Sequence, residues 1–82
     1  MKTIHVRLFA RAKDLAGAES VAVEVPAEAR VGDLRRRMAQ LYPALAGLLE
    51  RSALAVNNEF ADDTQLLSGT AEIAVLPPVS GG

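Results

Sequence analysis

The 82-residue chain contains no cysteine and a single histidine, His5. Without cysteine there is no disulfide framework, no thiolate metal site and no cysteine nucleophile. One histidine excludes a His-cluster metal site as well. No apolar run approaches the ~20 residues needed to span a membrane. The opening Met1-Lys2-Thr3-Ile4-His5 lacks the apolar stretch of a secretory leader, so a cytoplasmic location is the expectation. Gly17, Gly32 and Gly47 are scattered, so no phosphate-cradling glycine loop is present. Basic residues are missing from the last third: residues 1–51 hold nine basic and six acidic residues, and residues 52–82 hold Glu59, Asp62, Asp63 and Glu72 alone. A net charge of −1 with an acidic C-terminal third argues against nucleic acid as a partner, because phosphate contacts need clustered Lys and Arg.

What is present is a folded-domain composition, 50% hydrophobic and 23% charged. No linker or repeat divides the chain. Lys2 to Phe9 alternates, with Ile4, Val6 and Leu8 on one face, which predicts a half-buried strand. Phe9 falls by parity on the opposite, polar face. Residues 11–17 read as a turn or short helix ended by Gly17. Ser20 to Val25 alternates again, and Pro26 stops it. Val31, Leu34, Met38 and Leu41 form one helical stripe, with Arg35, Arg36 and Arg37 as a solvated face. Tyr42-Pro43 ends that helix, and residues 44–50 add a second short helical turn. Leu54 to Val56, a two-residue Asn57-Asn58 turn and a short return strand follow, since paired asparagines tolerate the positive φ of a type I′ turn. Asp62 to Gly69 is a polar turn region, and residues 72–76 are the last strand.

The order β-β-α-β-β-β predicts an α+β fold: a mixed four- to five-stranded sheet with one main helix packed on one face. Its first and last strands are expected to be parallel central neighbours. That is the β-grasp, or ubiquitin-like, arrangement, here over residues 1–76. Residues 77–82, Pro77-Pro78-Val79-Ser80-Gly81-Gly82, are expected to form an extended tail, because two prolines cannot continue a ladder and favour a stiff path. A glycine pair passes through a channel too narrow for any Cβ and delivers a carboxyl group to a buried site.

These features resemble the ubiquitin-like sulfur-carrier family that includes the small subunits of molybdopterin synthase. The residues that carry the resemblance are the ending Pro77 to Gly82 after Glu72-Ile73-Ala74-Val75-Leu76, Leu8-Phe9-Ala10-Arg11, Gly32-Asp33-Leu34, Leu41-Tyr42-Pro43 and Val56-Asn57. Gly69-Thr70-Ala71-Glu72 departs from the family's usual Asp-Gly-Asp-Glu, which concerns the local turn and not the tail. The resemblance implies a carrier without catalysis of its own. An ATP-dependent activating enzyme adenylates the Gly82 carboxylate, and a sulfur donor protein converts it to a thiocarboxylate. The tail, with Gly81, Ser80, Val79, Pro78 and Pro77, then threads the active site of the large synthase subunit, in a heterotetramer with two of each subunit. There its sulfur passes to cyclic pyranopterin monophosphate. The chain itself would bind no cofactor and no metal, and ATP would belong to the activating partner. A sulfur carrier for thiamine or tRNA thiolation and a protein modifier joined through Gly82 to lysines are the alternatives.

Strand parity adds a docking surface. If Asn57-Asn58 is a two-residue turn, Ala55 pairs with Phe60 and both point away from the core. Phe9, Phe60 and Leu76 then share the face without the helix, beside the root of the tail, and such a contiguous apolar patch marks an interface. The resemblance implies that this face meets both the activating enzyme and the large subunit. His5 is expected to be a surface residue, and Asp62-Asp63 a solvated turn rather than an acid–base pair.

Overall fold

Period-2 alternation becomes strand β1 at Lys2–Leu8, whose Ile4, Val6 and Leu8 are buried while Thr3, His5 and Arg7 are exposed. The computed structural model describes residues 1–78. After β1 come α1 (Ala10–Ala16), β2 (Ser20–Val25), α2 (Val31–Leu41), a 3-10 turn (Pro43–Leu45), α3 (Ala46–Arg51), β3 (Ala53–Val56), β4 (Glu59–Ala61) and β5 (Ile73–Leu76). The five strands form one sheet in the order β2-β1-β5-β3-β4. β1 and β5 are parallel; every other pair is antiparallel. This is the β-grasp arrangement.

The segment after Phe9 is a full two-turn helix. Ala10 turns the chain at φ 52, a region that residues with a Cβ seldom adopt. Gly17, at φ 70, ends α1 in the left-handed conformation and donates its N–H to the Lys13 carbonyl at 2.9 Å. The core joins the inward residues of the strands to Val31, Leu34 and Met38 of α2 and to Leu45, Leu48 and Leu49 that follow it.

Two expectations for α2 need correction. Leu41 is 43% exposed and not part of the buried stripe. Leu41 is the last residue of α2, and Leu45, in the turn packed against α2, is fully buried instead. Arg35 is not on a solvated face. Its side chain, only 19% exposed, donates to the Leu49 and Ser52 carbonyls and pairs with Asp63 at 3.0 Å. It therefore ties α2 both to the end of α3 and to the loop before β5. The exposed run is reduced to Arg36 and Arg37.

That loop is stitched to the entrance of α2. Gly32 and Val31 donate to the carbonyls of Asp63 and Gln65, both at 2.9 Å, and Leu67 donates to Ala29 at 3.0 Å. Leu67 enters the core, whereas Leu66 is exposed. A Cβ on Gly32 would stand 3.1 Å from the Asp63 Cβ and 3.2 Å from its carbonyl oxygen, so glycine here permits a close approach rather than an unusual dihedral.

Candidate functional site

The face of the sheet that carries no helix is laid out by register. Arg7 pairs with Ser20 on one side and Ala74 on the other; Ala74 pairs with Ala55, and Ala55 with Phe60. One residue row further along, Leu76 pairs with Ala53. Two adjacent alanines at the centre of this face leave a depression, because methyl groups rise little above the pleat. Ala55 is buried at its floor although it points away from the core. The hollow holds about 210 Å³ and is lined by Phe9, Ala55, Asn58, Phe60, Ala74 and Leu76.

The structure thus brings Phe9, Phe60 and Leu76 around one cavity. Phe60 is 78% exposed and Phe9 39%, and Leu76 is half-buried. Phe9 follows β1 in extended backbone and does not fold into the core. Leu76 is the last residue of β5, so the wall of the hollow is bonded directly to Pro77, the first residue of the tail. Pro77 and Pro78 lie outside any strand, with Pro78 exposed. Val79, Ser80, Gly81 and Gly82, assigned to the tail from the sequence, lie outside the described residues.

Asn57 and Asn58 adopt φ 51 and 69, as a type I′ turn requires. Asn57 does more than turn. Its side-chain oxygen accepts the Glu72 N–H at 2.9 Å, and its own N–H donates to the Glu72 carbonyl at 2.8 Å. The β3–β4 turn is thereby pinned to the start of β5, which fixes Asn58 and Phe60 relative to Leu76. Nothing in the sequence announced this bond across 15 residues.

The remaining candidates are placed elsewhere. His5 is exposed on the same face, in a neighbouring depression with Arg7 and Lys13. Asp62 and Asp63 do not converge on a common point. Asp62 accepts from the Thr64 hydroxyl and from the Thr64 N–H at 2.9 Å, and these bonds hold its carboxyl below the usual range. Asp63 faces Arg35. Asp33 is likewise lowered, first by the N–H of Arg30, which it accepts at 2.8 Å, and also by Arg36. Among the described residues no group of three or more His, Asp or Glu could hold a metal ion, and no helix is long and apolar enough to cross a membrane.

Comparison with known proteins covers nearly the whole chain. The ThiS family matches residues 6–82. A molybdopterin synthase sulfur carrier subunit of Caenorhabditis briggsae is 40% identical over 84 residues, covering 100% of both chains. Among solved structures, small archaeal modifier protein 1 of Haloferax volcanii superposes with a TM-score of 0.87 at 28% identity, covering 96% of this chain and 100% of that one. A complex of subunits 1 and 2 of molybdopterin-converting factor from Helicobacter pylori contains a chain that matches with a TM-score of 0.70 at 27% identity, covering 98% of this chain and 99% of that one.

Proposed function

Because the chain belongs to the ThiS family, we propose that it is the sulfur carrier subunit of a molybdopterin synthase. The observation that carries this reading is the union of two features on one strand. Leu76 walls an apolar hollow on the open sheet face, and the next residue begins the Pro-Pro-Val-Ser-Gly-Gly ending. A partner gripping the hollow has the tail at hand, so docking and delivery are one event.

The chemistry follows from what the chain lacks. With no cysteine, it has no thiol on which to carry a transferable sulfur, and membership of the family implies that the carboxyl group of Gly82 carries it instead. A carboxylate oxygen is a poor leaving group. The carboxylate attacks the α-phosphorus of ATP in the activating enzyme, pyrophosphate departs, and an acyl-adenylate forms. A persulfide of the donor then attacks the carbonyl carbon and AMP departs, and a thiol reductant cleaves the resulting acyl disulfide, leaving the terminus as a thiocarboxylate and the donor sulfur in a mixed disulfide. In the large subunit that sulfur passes to cyclic pyranopterin monophosphate, and the spent terminus returns to a carboxylate when water supplies the oxygen. The Helicobacter complex of two subunits supports a partnered assembly. We extend this to a heterotetramer with two copies of each subunit.

The test is reconstitution with the activating enzyme, ATP, a sulfur donor and the large subunit. Intact-protein mass spectrometry is expected to show one oxygen exchanged for one sulfur at Gly82, and molybdopterin is expected to form. Deleting Gly82 should abolish transfer and leave the melting temperature unchanged. Normal molybdopterin production by that deletion would refute the reading.

A second reading, a protein modifier linked through Gly82 to lysines, is favoured by the close superposition on the Haloferax modifier. It uses the same activated terminus, and conjugates recovered from the host would reveal it.

A further inference from the structure

The apolar hollow has a cationic neighbour. On the other side of Phe9 lies a depression of about 500 Å³ whose lining includes His5, Arg7, Phe9, Lys13 and Glu19. Phe9 is the wall the two cavities share. Within the second cavity, Lys13 is already paired with Glu19 at 3.3 Å. Arg7 takes part in no ion pair among the described residues. Its neighbours across the ladders, Ser20 and Ala74, are too short to cover it and carry no charge.

Arg7 is nevertheless placed. Its guanidinium carbon lies 5.5 Å from the centre of the Phe9 ring. Contact with the ring face fixes a cation without using up its N–H donors, and a guanidinium offers those donors as a planar fork suited to a carboxylate. An arginine held this way loses less side-chain freedom on pairing than one waving in water. This fork is presented outward beside an apolar socket.

Resting on the reading that this sheet face receives a protein partner, we infer that Arg7 is a specificity-determining contact. It accepts a partner that presents a carboxylate side chain beside the apolar group entering the Phe9–Phe60–Leu76 hollow. The charge complements an acidic patch and turns away partners that bring a cation to the same position.

Titration calorimetry of the full chain against the molybdopterin synthase large subunit of the same organism, at low and high salt, tests this. Arg7→Gln is expected to weaken binding about tenfold at low salt and to remove much of the salt dependence. Arg7→Lys should restore the salt dependence. Phe60→Ala should weaken binding with the salt dependence unchanged. If Phe60→Ala weakens binding but Arg7→Gln matches the wild type in affinity and salt response, the role of Arg7 is refuted and the docking face stands. If Arg7→Lys behaves as Arg7→Gln does, charge is not what the partner reads and the inference fails. If neither Phe60→Ala nor Arg7→Gln has any effect, the docking face itself is wrong. Thermal melts of each variant confirm folding, which exposed positions should not disturb.

Discussion

Phe60 projects from a three-residue edge strand with most of its ring in water. Truncating it removes little buried surface, so Phe60→Ala should change stability by less than about 1 kcal/mol. The same substitution should cost roughly 1–3 kcal/mol of partner affinity if the ring fills a pocket there. Calorimetry beside a melting curve separates the two effects. Gly32 is the converse case, silent in binding and sensitive in folding. A methyl group there meets Asp63 backbone that the α2 entrance bonds hold in place. Gly32→Ala should therefore lower stability by about 1–3 kcal/mol, as overpacking does, which a denaturant titration would measure. The grouping of Phe9, Phe60 and Leu76 was legible from parity, because the type I′ turn fixes which β4 residue opposes Ala55. The alanine floor was not. It depends on β5 lying between β1 and β3 in one register, and no local pattern encodes that.

At the scale of elements, alternation and helical spacing gave the span of β2 and of α2 and identified Val31, Leu34 and Met38, though not Leu41, as the buried side of α2. They were silent about what comes over the sides of α2. Arg35 shows why: its partners lie 14, 17 and 28 residues away, and an arginine off the apolar stripe looks the same in sequence whether wet or clasped. Its removal leaves the carbonyls of Leu49 and Ser52 without this donor. Ser52 is itself buried, its hydroxyl donating to Leu48 at 2.7 Å. Arg35→Ala should destabilise the fold by roughly 1–3 kcal/mol, whereas Arg37→Ala, on the exposed side, should stay within about 0.5 kcal/mol. Comparing the two in one melting series checks the distinction between a clasp and a solvated charge.

Across the whole molecule, two carboxylates tie stability to acidity. Asp33 and Asp62 titrate lower when folded than when unfolded, because N–H and hydroxyl donors favour their charged forms. Their contribution is complete above about pH 4 and is lost as the pH falls through the lowered folded values. Asp33→Asn and Asp62→Asn should each flatten the decline of melting temperature in acid and lower the melting temperature between pH 7 and 9, where the charged form's contribution is complete. Both groups lie where the loop before β5 meets α2, so acid should loosen that junction first, and hydrogen exchange at Gly32 and Val31 would report it.

The position of β5 also decides how the fold bears a load. A pull on the chain beyond Leu76 runs along a strand with a neighbour on each side, parallel to β1 through Val6–Leu8 and antiparallel to β3 through Ala53–Val56. Drawn against the N-terminus, β1 and β5 slide past each other, and their ladder bonds resist together instead of opening one after another. An edge strand tugged at its end would peel. If the tail must be hauled out of a snug partner channel, the force reaches the sheet at its centre in shear, the geometry in which a short ladder yields last. Stretching between the two termini should therefore meet a higher rupture force than stretching between the end of β4 and the N-terminus.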